Sequence, residues 1–334
     1  MVNSLGGLAQ KRSLVRLGAT DRMLTLAVRR GEVHRARQGW YSTIAEQDPL
    51  LRAARIGGRL TGLSAMKALG AWSWNDGPLH VSVPRSAGRL RDQWNRFNLL
   101  NQVEATDVVV HWDDVDPGGD TKMVSMKAAM IRVVLDEPFE VAVSTFDWAF
   151  KSGLMSRFDF EEIIAALPMD ARMVRNWVDE RCDSVLESIT RIWLQLRGFR
   201  VVSQVRVGTV EAIDLVVEEI VAVEVDGKEH HLKTFETDRR KDVSITIEGR
   251  HPLRPSYSMV RFEFPRLEAA IVQAIVARHA NWTVENSGSD ATRAVRGRRL
   301  WRLLDGTVTR IPEFPPGRGA GQGMKLRMHG LPTI

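Results

Sequence analysis

Apolar residues along this chain alternate between helical and strand spacing, and the switches delimit its elements. Residues 8–17 follow Gly6-Gly7 and stop at Gly18, which predicts a short helix closed by a residue suited to the left-handed region. Residues 22–30 carry Met23, Leu24, Leu26, Ala27 and Val28 behind Thr20 or Asp21 as N-cap, and predict a second helix ended by Gly31. Residues 32–42 alternate around a glycine turn and predict a two-stranded wing. A helical pair is expected over 53–72, strands over 79–84, 107–112 and 130–135, and helices over 145–152 and 158–167.

The pattern sharpens in the last third. Val185, Leu186, Ile189, Ile192, Trp193 and Leu196 make one apolar stripe, which predicts a helix over 183–196 with Asp183 or Ser184 as cap and Gly198 as stop. Glu187 falls off that stripe one turn before Arg191, and an i,i+4 pair of this kind contributes only a few tenths of a kcal/mol. Strands follow over 199–207, 212–218 and 220–226, then a helix over 234–248 with Asp238-Arg-Arg-Lys-Asp242 on its exposed side. A fourth strand over 259–264 and a helix over 267–279 complete an α-β-β-β-α-β-α order.

Composition bounds the reading. A chain of 334 residues has room for two or three domains, each with a core. No apolar run is long enough to span a bilayer, and the opening residues lack the apolar region of a secretory leader, so a cytoplasmic protein with no membrane association is expected. One cysteine, Cys182, excludes a disulfide framework and a cysteine-rich zinc site. The net charge of +6 is modest, but its placement is uneven. Lys11, Arg12, Arg16, Arg22, Arg29, Arg30, Arg35 and Arg37 crowd the first forty residues against Asp21 and Glu32. Arg85, Arg89, Arg91 and Arg96 form a second basic stretch, read as a solvated helix face or an extension of a DNA track. The acidic loop 113–120 lacks the spacing and terminal Glu of an EF-hand and reads as a solvated turn. Arg293, Arg296, Arg298, Arg299 and Arg302 surround Trp301 in a basic tail that turns Pro/Gly-rich over 312–323.

Three carboxylates carry the candidate chemistry. Glu224 and Asp226 stand at i and i+2 of one strand and face the same way, and Asp214 sits in the preceding strand. Brought together they repel one another unless a cation or a proton is held between them. His230 and His231 follow just beyond Gly227. The plainer reading leaves Glu224 and Asp226 as polar residues of an edge strand and the histidines in solvent.

Two resemblances give these patterns a direction. Gly18, Leu24, Val28, Arg29, Gly31, Val33, Arg35, Arg37, Gly39 and Tyr41 match a pattern similar to the N-terminal winged helix of the AbiEi family of type IV antitoxins. The match departs at Ala27, Ala36 and Trp40. It implies binding to double-stranded DNA, with Arg22, Arg29, Arg30, Arg35 and Arg37 as candidate contacts. Further along, Leu186, Glu187, Ser188, Arg191, Gly198, Phe199, Asp214, Glu224, Asp226, Gly227, His230, His231, Asp238, Arg239, Arg240, Val260, Arg261 and Phe262 occur in an order that resembles the domain of unknown function related to very-short-patch repair endonucleases. That resemblance implies a PD-(D/E)xK nuclease fold. Asp214 would then be the metal-binding aspartate, Glu224 the (D/E) residue, and Asp226 would stand where a lysine is usual. His230 or His231 would serve as general base, with Lys228 a weaker substitute, Glu187 as support and Arg239 and Arg240 toward DNA. The implied cofactor is Mg2+ (or Mn2+), held by Asp214, Glu224 and Asp226.

The expectation is therefore an α/β multidomain chain. It comprises a winged helix-turn-helix over 1–45, an α+β scaffold over 46–180, an endonuclease-like α/β domain over 181–282 and a basic extension over 283–334. A metal-dependent DNA endonuclease is one reading. The other is an antitoxin-like repressor whose nuclease fold is non-catalytic and serves as scaffold or homodimer contact.

Overall fold

The computed structural model describes residues 1–285 except 75, 104–106, 115, 208–210 and 227–234; the basic tail lies outside the described residues. The chain is mixed α/β with three small sheets. Its contacts divide it into two units, Met1–Glu137 with Phe158–Ala171, and Pro138–Arg157 with the described residues from Arg172 to Glu285. The first forty-five residues thus share a unit with most of the expected scaffold, while part of that scaffold belongs with the C-terminal region.

In the first unit, β1 (Leu8–Gln10), α1 (Lys11–Arg16), α2 (Asp21–Arg29), β2 (His34–Arg37) and β3 (Trp40–Ser42) follow one another. The sheet order is β1-β3-β2, antiparallel throughout. Residues 8–10 are strand rather than the expected helix, because pairing of Leu8 with Ser42 and Gln10 with Trp40 draws them into the sheet. Val2, Ala9, Leu14, Ala19, Leu24 and Tyr41 form the core beneath, so each helix contributes one stripe to the sheet. Thr20 caps α2 by accepting from Met23 N at 3.3 Å.

The same unit continues through α3 (Pro49–Ile56), β4 (Arg59–Leu60), α4 (Gly62–Ala68), β5 (Leu79–Pro84), β6 (Val108–Asp113) and α5 (Met126–Asp136). The second sheet has the order β4-β5-β6, with β5 and β6 parallel. Residues 130–135 are helix, not the expected strand. Ser125 accepts from Ala128 N at 3.2 Å and starts α5, and Ala129, Met130 and Val133 then bury at helical spacing. A short β-branched run is ambiguous until such a cap is recognised. The basic stretch 85–96 is not a helix face either: it is turns, with Arg85 2.8 Å from Asp114 and Arg96 donating to the Arg35 carbonyl at 3.0 Å. The acidic loop is a turn stapled by its own carboxylates, Asp116 accepting from Gly118 N at 3.2 Å and Asp120 from Lys122 N at 2.7 Å.

The second unit opens with α6 (Phe139–Lys151); α7 (Arg157–Ala166) follows in sequence and lies almost wholly in the first unit. The second unit resumes with α8 (Val185–Leu196), β7 (Val201–Val207), β8 (Glu211–Val217), β9 (Val221–Val223), α9 (Phe235–Ile247), β10 (His251–Leu253), α10 (Tyr257–Phe262) and α11 (Phe264–Glu285). The sheet order is β10-β9-β8-β7; only the β10–β9 pair is parallel. The strand expected at 259–264 is instead α10 running toward α11. Ser256 accepts from Met259 N at 3.4 Å, and of this run only Val260 and Phe264 are buried. The fourth strand is His251-Pro252-Leu253, whose proline is tolerated because β10 is an edge. Helices α6 and α8 are joined by a fully buried ion pair, Arg191 to Asp147 at 2.8 Å. Among the described residues no helix is long and apolar enough to cross a membrane.

Candidate functional site

The carboxylates converge at one end of the four-stranded sheet. Asp214 lies in β8, and Glu224 directly follows β9, whose residues Leu215↔Val223 and Val216↔Ala222 pair across. The Asp214 backbone N–H donates to Glu224 Oε1 at 3.3 Å, and Val225 N–H donates to Asp214 Oδ2 at 2.9 Å. Two acids on neighbouring strands are thereby aimed at one another by the ladder that pairs the strands.

Glu187 approaches from α8 and, contrary to its position off the apolar stripe, does not face solvent. It is buried, and its partner is not Arg191, which is committed to Asp147. Ser184-Val-Leu-Glu187 is a capping box: Glu187 N–H donates to Ser184 Oγ at 3.2 Å, and the Glu187 carboxylate accepts from Ser184 Oγ and Asp183 N, both at 2.9 Å. Gln204 Nε2 adds a further donor at 2.9 Å. Gln204 holds φ at 53°, between the pairs Ser203↔Leu215 and Val205↔Ile213, which turns its amide toward Glu187. A left-handed backbone at a non-glycine residue costs roughly 1–2 kcal/mol and persists only where its surroundings demand it.

Two buried acids and the half-buried Asp214, so placed, alter one another. Burial, then the charge of Asp214, pushes Glu187 up to about 7. Burial, then Asp214 again, pushes Glu224 up to about 7, with Lys241 pulling the other way. Asp214 is itself raised by burial. The raised values mean that the group holds protons near neutral pH, and its donors are hard oxygens. Asp214 and Glu224 offer carboxylate oxygens, the donor type that Mg2+ and Mn2+ take.

Lys241 joins the site although the sequence pattern places it in the outward charge run Asp238–Asp242. Its Nζ lies 2.5 Å from Glu224 Oε2, and its side chain is only 13% exposed. Helical spacing holds the signal: Lys241 is one turn before Ile245, which is buried against Ile213, Val216 and Ala222. Asp242 is also half-buried and accepts from Arg254 Nε at 2.8 Å.

Asp226 takes a different neighbour from the other acids. Its carboxylate is 3.8 Å from Arg254, and its backbone extends the parallel ladder through Asp226 N to Pro255 O at 3.1 Å. Lys228, His230 and His231 lie outside the described residues.

On α2, Arg22, Thr25, Leu26 and Arg29 share one exposed face, and Arg30 is exposed 3.7 Å from Glu32. Arg35 is exposed on β2 and donates to Tyr41 OH at 3.3 Å. Arg37 differs from its neighbours: it is half-buried, and its guanidinium occupies the space a side chain on Gly57 would need. It is packed into the unit rather than presented outward. Arg239 and Arg240 are exposed on α9.

No model of a known protein family matches the chain, and no curated protein is significantly similar to it in sequence.

Proposed function

We propose that the chain is a Mg2+-dependent DNA endonuclease. Its strand-β1 to strand-β3 segment would act as a winged helix-turn-helix and its second unit as a PD-(D/E)xK nuclease. The observation that carries the reading is the Asp214–Glu224–Lys241 triad, two acids from neighbouring strands and one buried ammonium. Asp226 stands where the lysine was expected, and Lys241 supplies the missing cation from α9 instead.

Asp214 and Glu224 would hold the ion, which when bound polarises the scissile phosphate and lowers the pKa of the attacking water. Lys241 positions Glu224 and sets a positive charge beside the place where phosphoryl charge builds up. Glu187 and Gln204 keep the floor behind Asp214 in place. Arg239 and Arg240 face outward, where duplex phosphates would run. Asp226, held by Arg254, anchors the base of α9 rather than the ion.

Replacing Lys241 with Met is expected to slow plasmid nicking by about a hundredfold, with DNA affinity unchanged in a gel shift. Nicking at the wild-type rate would remove Lys241 from the mechanism. The exposed face of α2 supports the DNA-binding half of the reading. Arg22→Ala with Arg29→Ala is expected to weaken duplex binding about tenfold or more and to reduce the slope of log K against log salt by about 2, one phosphate contact for each arginine. An unchanged slope would place the DNA elsewhere. The same face suits an antitoxin-like repressor with an inert second unit. That reading is favoured if the full chain binds a specific duplex yet leaves plasmid intact with Mg2+.

A further inference from the structure

Among the described residues, one group of three side chains places a ligand atom from each close enough together to share a metal ion, and it lies in the first unit. His80 on β5 and His111 on β6 sit on paired parallel strands, and Asp136 ends α5. Both imidazoles are buried, and Asp136 is 15% exposed at its side chain, so the cluster is closed to bulk solvent yet reachable.

We propose that His80, His111 and Asp136 bind a divalent transition-metal ion, Zn2+ by the character of the donors. One ligand atom from each residue lies within 4.8 Å of the others. His80 Nδ1 is 3.2 Å from His111 Nε2, and His111 Nε2 is 3.7 Å from Asp136 Oδ2. A tetrahedral ion with bonds of about 2.0–2.1 Å sets its ligands about 3.3 Å apart, close to the 3.2 Å and 3.7 Å separations about His111. Two imidazoles and a carboxylate with a fourth position open is a common zinc donor set.

The next layer out fits the same role. Glu137 Oε1 is 3.4 Å from His80 Nε2. A carboxylate there fixes the tautomer with hydrogen on Nε2 and leaves the Nδ1 lone pair aimed at His111, the arrangement by which metal-bound histidines are oriented. Ser64 Oγ accepts from His80 N at 2.9 Å and holds the strand in register with α4. Gly62 keeps the space beside the ring clear, since a Cβ on it would meet His80 Nδ1 at 3.3 Å. Burial, and for His80 the neighbouring imidazole, lowers His80 to about 3 and His111 to about 4. The cations nearby are Lys67 and Arg132, and Arg132 is paired with Asp113. Without metal, the His111 Nε2 proton bridges to His80 Nδ1; the ion takes that proton's place, and His111 stays neutral by carrying its proton on Nδ1 instead.

The test uses the full chain with Co2+ as spectroscopic probe and Zn2+ as competitor. Wild type is expected to take up one more equivalent of Co2+ than His111→Gln, to show the visible bands of tetrahedral Co2+, and to lose them to Zn2+. Zn2+ is expected to raise the melting temperature of wild type by several degrees and that of His111→Gln and Asp136→Asn by much less. Asp214→Asn is expected to keep the tetrahedral Co2+ bands and their loss to Zn2+, whatever it does to metal uptake at the carboxylate group, which separates the two sites. Should His111→Gln fail to fold, Asp136→Asn, which keeps the shape of the cluster, decides. Identical Co2+ spectra and Zn2+ shifts in wild type and the folded variant would overturn the proposal, as would a wild type with no tetrahedral bands.

Discussion

Asp214→Asn is expected to reduce Mg2+-dependent DNA cleavage by about a thousandfold while the protein stays folded. Asp214 is the hinge of the carboxylate group: its backbone N–H contacts Glu224, its carboxylate accepts from Val225, and its charge raises both Glu187 and Glu224. An amide keeps the size and the Val225 hydrogen bond but offers an ion one neutral oxygen in place of an anionic one. It also removes the charge that the other two acids oppose. The variant should accordingly melt no lower than wild type without metal and gain less stability from added Mg2+. Initial cleavage rates beside melting curves with and without Mg2+ check both halves. Loss of activity with loss of fold would not support the assignment, and cleavage within a factor of a few of wild type would refute it.

Asp147→Ala is expected to destabilise the second unit by about 3–5 kcal/mol, the range for breaking a fully buried ion pair from one side. Asp147 is fully buried, and the side chain of Arg191 is 2% exposed. Asp147 accepts from Arg191 at 2.8 Å and from Asp179 N at 2.7 Å, while Arg191 also donates to the Trp177 carbonyl at 2.7 Å. Removing the acid strands a guanidinium in a low-dielectric interior with its strongest partner gone. The pair need not stabilise the unit relative to an apolar pair, since desolvation offsets much of its attraction. Asp147→Ala combined with Arg191→Met should therefore recover much of the loss. Urea unfolding of the two variants measures this. A single variant within about 1 kcal/mol of wild type would mean the buried charge finds water or another partner.

The strongly periodic elements were legible in the sequence. The α8 stripe, its Ser184 cap and the strands bearing Asp214 lie where residue spacing places them, because each couples a long apolar pattern to an unambiguous stop. Short segments were not legible. Residues 130–135 and 259–264 read as strands, yet caps at Ser125 and Ser256 start helices there, and a short apolar run does not by itself tell the two apart. Strand β10 escaped because a proline in a three-residue segment signals against a strand unless it is known to be an edge.

Of the candidate site, Asp214 and Glu224 could be read from strand parity, since neighbouring strands bring alternate residues to one face. Lys241 could not be read with them. Its partner Glu224 is distant in sequence, and only the docking of Ile245 turns that face of α9 inward. Arg37 shows the converse. It lies in a basic run that looks uniformly exposed, yet the absence of a side chain at Gly57 lets it fold inward. The His80–His111 pair was equally hidden, because nothing in the sequence announces that β5 and β6 pair in parallel, with His80 opposite Val109 and His111 opposite Ser82 on the same face.

The most direct measurement is conversion of supercoiled plasmid by the purified full chain at equal protein concentration, with Mg2+ and with EDTA. Nicked and linear product that forms with Mg2+, disappears with EDTA and is absent for Asp214→Asn is the predicted result. Plasmid that stays equally supercoiled in all three samples, from protein shown to be folded and to bind DNA, would contradict it.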